Sequence, residues 1–231
     1  DALRLLGDCA HEAGDLVAAE GHYRGAIDLG RQLGYVYILH RCLHSLAACV
    51  YIPRGQFELA LSADEESLRL ALELKLSDEV WLPLVTQGWV YWLTGRRERA
   101  LAITETMRRF VKAESLAAGY WYCLRADLAQ ESADPASALP LYARARAIAE
   151  MMGDPGLNAE LRVGLSRYHR TTGNAATAYA WADDALTSAA RAGSHDVQSW
   201  ALIERGRAAW ELGDHAAAEA DLRATIDLLK P

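Results

Sequence analysis

Few residues have types and spacing suited to chemistry. His40 and His44 stand four apart, which presents two imidazoles on one helix face as a zinc site requires. The next residue is Arg41 rather than the Glu of a zinc-protease helix, and no third ligand follows nearby. Two packed or surface histidines are therefore expected instead of a metal. His11-Glu12 fails the same pattern, because position 15 is Asp. In GLSRY, 164–168, Tyr168 stands where a nucleophile elbow needs Gly, and the surroundings are helical rather than strand-to-helix. The acidic runs Asp64-Glu65-Glu66 and Asp183-Asp184 offer carboxylates for acid–base work. Neighbours on a helix point apart, however, and solvated faces are expected there. With no phosphate loop and no GxGxxG, the chain is read as non-enzymatic, with no cofactor and no metal.

One stretch suggests binding instead. GWVYWLTGRRERALA, 88–102, sets Trp89, Tyr91 and Trp92 beside Arg96, Arg97 and Arg99, a composition that would suit a single-stranded nucleic acid. The charge balance opposes this: 24 Lys and Arg against 31 Asp and Glu leave −7, which repels a phosphate backbone over most of the surface. Neither nucleic acid nor membrane is an expected partner, since no run approaches the ~18 apolar residues of a span. Cys9, Cys42, Cys49 and Cys123 form no CxxC, which suits a reducing cytoplasm. The absent initial Met, and a final Pro231 directly after a helical pattern, make a piece of a longer protein the expectation.

The elements that position these residues come from a repeat. A break residue followed five positions later by Ala recurs six times: Gly14 and Ala19, Gly55 and Ala60, Gly95 and Ala100, Ala133 and Ala138, Gly173 and Ala178, Gly213 and Ala218. The breaks are 41, 40, 38, 40 and 40 apart. Seven before each stands a small residue: Gly7, Ala48, Gly88, Ala126, Ser166 or Gly206. This is the pattern of a helical hairpin. The break ends one helix in the left-handed conformation, Asp15, Asp134, Asn174 or Asp214 caps the next, and the small residues let the two helices approach. In repeat four Pro135 takes a first-turn place after its Asp. Further breaks fall at Gly34, Leu76-Ser77-Asp78, Glu114-Ser115, Gly153-Asp154 and Gly193-Ser194. The chain thus parses into six helix pairs, about 1–34, 35–76, 77–114, 115–153, 154–193 and 194–231, with no strand. Within this register Trp89 and Trp92 belong to the first helix of pair three, while Arg96 to Arg99 begin its second. Arg108, Arg109 and Lys112 continue the basic character of that second helix, and Glu105 is placed to pair with either arginine.

These residues resemble a tetratricopeptide repeat array over the whole chain, with Pro231 in the closing place of the last repeat. The period near 40, Ala133 in place of Gly, and Pro140 inside a helix depart from that family's pattern. Repeats of this length are similar to the helical arms of large bacterial LuxR-type regulators of the maltose-activator kind. The resemblance implies an all-α, right-handed superhelical array of six antiparallel helix pairs in one domain, 1–231, whose first helices line a concave groove. It also implies that groove positions fall ten, six and three residues before each break. Carried over, these include Val85, Trp89 and Trp92; Cys123, Asp127 and Gln130; Val163, Arg167 and Arg170; and Ile203, Arg207 and Trp210.

The expected function is a protein-interaction or scaffold module of a bacterial regulatory protein, serving signal transduction and transcription regulation. Trp89, Trp92, Asp127, Gln130, Arg167, Arg170, Arg207 and Trp210 would hold a partner segment or another domain of the same chain. Two alternatives stand beside it: an arm that senses a small-molecule effector such as a sugar, and a purely structural spacer. The stripe Leu222, Ile226 and Leu229 on the last helix further suggests self-association through the C-terminal end.

Overall fold

The structure is a computed structural model and describes residues 1–229. Pro231, and with it the end of the sixth pair, lies outside the described residues. Those residues form twelve α-helices and no strand: α1 Ala2–Glu12, α2 Leu16–Leu33, α3 Val36–Leu46, α4 Phe57–Glu73, α5 Trp81–Leu93, α6 Arg97–Met107, α7 Leu116–Gln130, α8 Ala138–Met152, α9 Pro155–Thr171, α10 Ala175–Ala192, α11 His195–Glu211 and α12 His215–Leu228. They fall into two compact units, Asp1–Lys112 and a second beginning at Ala113. None is long and apolar enough to cross a membrane.

The break positions do what their residue types allow. Gly14, Gly55, Gly95, Gly173 and Gly213 all have positive φ, between 67° and 84°. At each, the amide one residue further on donates to the carbonyl five residues back, at 2.7–3.0 Å, as in Asp15 to Ala10 and Arg96 to Tyr91. This closes the end of the first helix. Asp15, Asn174 and Asp214 then accept from the amides of Ala18, Thr177 and Ala217. The six alanines five past the breaks are 0–1% exposed, because the two helices of a pair touch there. The same closeness shows at Gly7, where a Cβ would lie 2.5 Å from the Tyr23 ring across the first hairpin.

Several expectations need correction. Asp134 makes no side-chain cap; Pro135–Ser137 forms a single 3-10 turn, and α8 starts only at Ala138. Helix α6 stops at Met107, so Arg108, Arg109 and Lys112 do not extend it, although Arg108 lies 3.9 Å from Glu105 as its spacing suggests. Asp64 is not on a solvated face but wholly buried, because its side of α4 meets α3.

The breaks between pairs also carry positive φ: Gly34, Gly153 and Gly193, but equally Lys75 at 57° and Glu114 at 58°. The last two hold the glycine position without a glycine. Pair two has an interval of 41, and its first helix ends in a π turn, Ala47–Tyr51, where Ile52 N donates to Ala47 O at 3.0 Å. One extra residue in a helix of otherwise constant span is absorbed as this wider turn.

Candidate functional site

In the second unit the helices that begin each pair, α7, α9 and α11, bring most of the expected groove residues together. Asp127 and Gln130 are three apart on α7, Arg167 and Arg170 three apart on α9, and Glu204 and Arg207 three apart on α11, so each helix presents its two on one face. Arg167 reaches Asp127 Oδ1 at 3.2 Å and Glu204 Oε1 at 3.3 Å. Arg170 holds Glu204 Oε2 at 2.9 Å and Glu211 Oε1 at 3.4 Å, and Arg207 adds a contact of 3.1 Å to Glu204. The Tyr142 hydroxyl donates to Asp127 at 2.7 Å. Gln130 Nε2 donates to Tyr142 and, at 3.2 Å, to the Gly164 carbonyl.

Glu204 is the centre that sequence reasoning missed. Its side chain is 1% exposed and faces three guanidiniums. Burial pushes its carboxyl up, but Arg167, Arg170 and Arg207 together outweigh that and hold it below the usual range. Burial likewise works against the Arg167 charge, and Asp127 and Glu204 more than offset it. Nearby, burial raises Glu160 to about 8, with Asp196 and Asp127 adding to the effect and Arg167 opposing it. Arg167 and Arg170 are thus engaged inside the chain. Arg207 remains about half exposed, and Trp210, a turn further on, is 63% exposed and tilts against His215.

The first unit repeats part of this arrangement. Tyr23 donates to Asp8 at 2.8 Å, with Asp six before a break and Tyr nine after it, as for Asp127 and Tyr142. Arg4 holds the other Asp8 oxygen at 2.5 Å.

His40 and His44 lie inside this unit and point to different partners. His44 Nδ1 meets Asp64 Oδ1 at 3.1 Å. Burial lowers His44 to about 4, with Arg41 adding to the effect, and raises Asp64 well above its ordinary value. His40 Nδ1 lies 3.0 Å from Ser67 O and 2.8 Å from Ser67 Oγ, while its Nε2 is 3.5 Å from Glu79. Ser67 Oγ donates to His40 O at 3.1 Å, which assigns Nδ1 the donor role. The ring therefore does not take the serine proton, and with both residues 0% exposed this pair fastens α3 to α4. Ser166 of GLSRY is also buried and donates to Ala178 O at 2.8 Å.

The aromatic and basic stretch divides as its register requires. Trp89 and Trp92 lie on α5, both partly buried. Arg96 pairs with Glu58 of α4, and Arg96 and Arg99 lie 5.9 and 5.7 Å from the Tyr91 ring centre. Among the described residues no three His, Cys, Asp or Glu gather as a metal site.

Fold and site together define an all-helical protein. Among solved structures it is similar to BtubC (BKLC) from P. vanneervenii, at 19% identity and a TM-score of 0.58, over 92% of this chain and 90% of that one. At that identity the likeness concerns the fold. No protein-family model and no curated protein sequence matches the chain.

Proposed function

We propose that the chain is a non-enzymatic interaction module, a superhelical array of the tetratricopeptide-repeat kind within a bacterial regulatory protein, which binds a partner segment on the face made by its first helices. The supporting observation is the ordered row from Asp127 through Arg167 and Glu204 to Arg170, which ends in the accessible Arg207 and Trp210. Trp and Arg are among the residue types that most often carry binding energy at protein interfaces. In this reading Arg167 and Arg170 hold the frame, while Arg207 and Trp210 touch the partner. A photo-crosslinking residue at position 207, in the cell that makes the protein, is expected to trap a protein adduct that Trp210→Ala abolishes. The same residue at exposed position 184 is expected to trap none. Equal adducts at both positions, or none at 207, sink the reading.

A second reading, effector sensing, has a depression of about 310 Å³ in the first unit, floored by Ile27, Leu43 and Leu46 and rimmed by Arg24, Arg31 and Glu66. Calorimetric titration with a panel of sugars tests it. Flat traces throughout remove it.

A further inference from the structure

Within the second unit, successive pairs are joined by the same register positions. Between pairs four and five, Gln130, three before its break, donates to the carbonyl of Gly164, nine before the next break, at 3.2 Å. Between pairs five and six, Arg170 and Glu204 hold those same two positions and meet at 2.9 Å. The residues six before the breaks, Asp127 and Arg167, pair directly at 3.2 Å. A junction thus sets the position three before one break against the position nine before the next, with an ion pair available at six. Nine before the later breaks stand Leu46, Thr86, Leu124, Gly164 and Glu204, and all are buried.

Two residues at junction positions are instead open. Leu5, nine before the first break, is 51% exposed, and Trp210, three before the last, is 63% exposed. Both are large and apolar. At the six-before positions beside them stand charges of opposite sign, Asp8 and Arg207. The Asp8 carboxylate is about one-third exposed and the Arg207 side chain about half. Leu6 on α1 and Leu222 and Ile226 on α12 are also exposed.

We propose that this chain binds a second copy of itself head to tail. The α1 face of one copy seats on the α11–α12 face of another, with Leu5 on Trp210 and Asp8 against Arg207, in the register that already joins pairs four, five and six. The occupant is a second copy because one chain carries both halves of the junction, matched in apolarity and opposite in charge. The two faces differ, so the contact is heterologous rather than two-fold, and one copy can engage two others. The inference rests on the interaction reading only in taking Arg207 and Trp210 as contact residues.

The test is sedimentation velocity of the chain across a rising concentration series, with Leu5→Glu and Trp210→Glu each alone and then mixed in equal amounts. The unaltered chain is expected to shift to dimers and longer species, and each variant alone to stay monomeric. The mixture is expected to form a dimer and stop there, because one variant keeps Trp210 and the other keeps Leu5. A chain that stays monomeric at the highest concentration overturns the proposal, as does association blocked by only one of the two variants. Circular dichroism confirms that the variants fold, and Leu5→Ser and Trp210→Ser replace any that do not. A monomeric chain that still gives the adduct at position 207 removes this inference and leaves the interaction reading standing.

Discussion

Glu204→Gln is the sharpest perturbation of the second unit. The substitution keeps the shape of a side chain that is 1% exposed and removes the one charge that Arg167, Arg170 and Arg207 share. Removing one partner of a buried ion pair costs about 3–5 kcal/mol, because the remaining charge stays desolvated. Arg167 keeps Asp127 at 3.2 Å and Arg170 keeps Glu211 at 3.4 Å, which places the loss near the lower end of that range, about 3 kcal/mol. In a chain of this length that lowers Tm by about 10 °C. The control is Glu66→Gln, whose partner Arg31 at 2.9 Å is about half exposed, so its loss stays within about 1 kcal/mol. Hydrogen exchange of the α9 and α11 amides reads the effect locally, and urea titration reads it globally. The pH dependence has a definite sign. The folded pKa of Glu204 is depressed, so its contribution is present above the unfolded value of about 4.3 and is lost as pH falls through the folded one. If Glu204→Gln costs no more than Glu66→Gln, or if its effect is the same at low and neutral pH, the reasoning is wrong.

Two other outcomes are expected. Lys75→Gly and Glu114→Gly each raise stability, by about 1 kcal/mol, since φ of 57° and 58° strains a residue with a Cβ; denaturant midpoints measure it. Burial raises the folded pKa of Asp64 above its unfolded value, so the folded chain holds that proton more tightly than the unfolded chain does. That contribution is present below the unfolded carboxylate value and is lost as pH rises through the folded one. Asp64→Asn flattens this slope, read as ΔG of unfolding against pH.

How much of this the sequence carried depends on which residues had to be of one type. The six alanines past the breaks were legible because two helices that touch there tolerate little more than a methyl group, and all six are buried. Asp15, Asn174 and Asp214 were legible because a cap needs a short acceptor directly after the break. Lys75 and Glu114 escaped notice because the backbone enforces their conformation without the glycine that normally marks it. Asp64 was misplaced because its burial depends on His44 of the neighbouring helix, a contact that no spacing along α4 reveals. The Tyr and Asp pairs had a readable signal, the same two offsets in repeats one and four, that only their hydrogen bonds made meaningful. Glu204 hid for a related reason. It sits nine before a break, while two of the three arginines that claim it, Arg167 and Arg170, sit six and three before the previous one, so that part of the partnership exists only across a junction.

That last point sets how the register controls the site. In pair two, one extra residue before Gly55 would rotate everything upstream in α3 by about 100° if the helix stayed regular, at 3.6 residues per turn. The π turn at Ala47–Tyr51 takes up the residue instead, so that Leu39 and Leu43 upstream and Ala60 downstream all remain in the core. The repeat therefore tolerates a change of length where a helix can widen by one hydrogen-bonding step, but not a change of face. Six charged or polar side chains across α7, α9 and α11 meet within hydrogen-bonding distance because pairs four to six hold intervals of 40 between breaks. A single insertion there without a compensating wide turn would swing Arg167 and Arg170 off Glu204, leaving a buried carboxylate and two guanidiniums apart. The site thus depends on spacing as strongly as on the residues themselves.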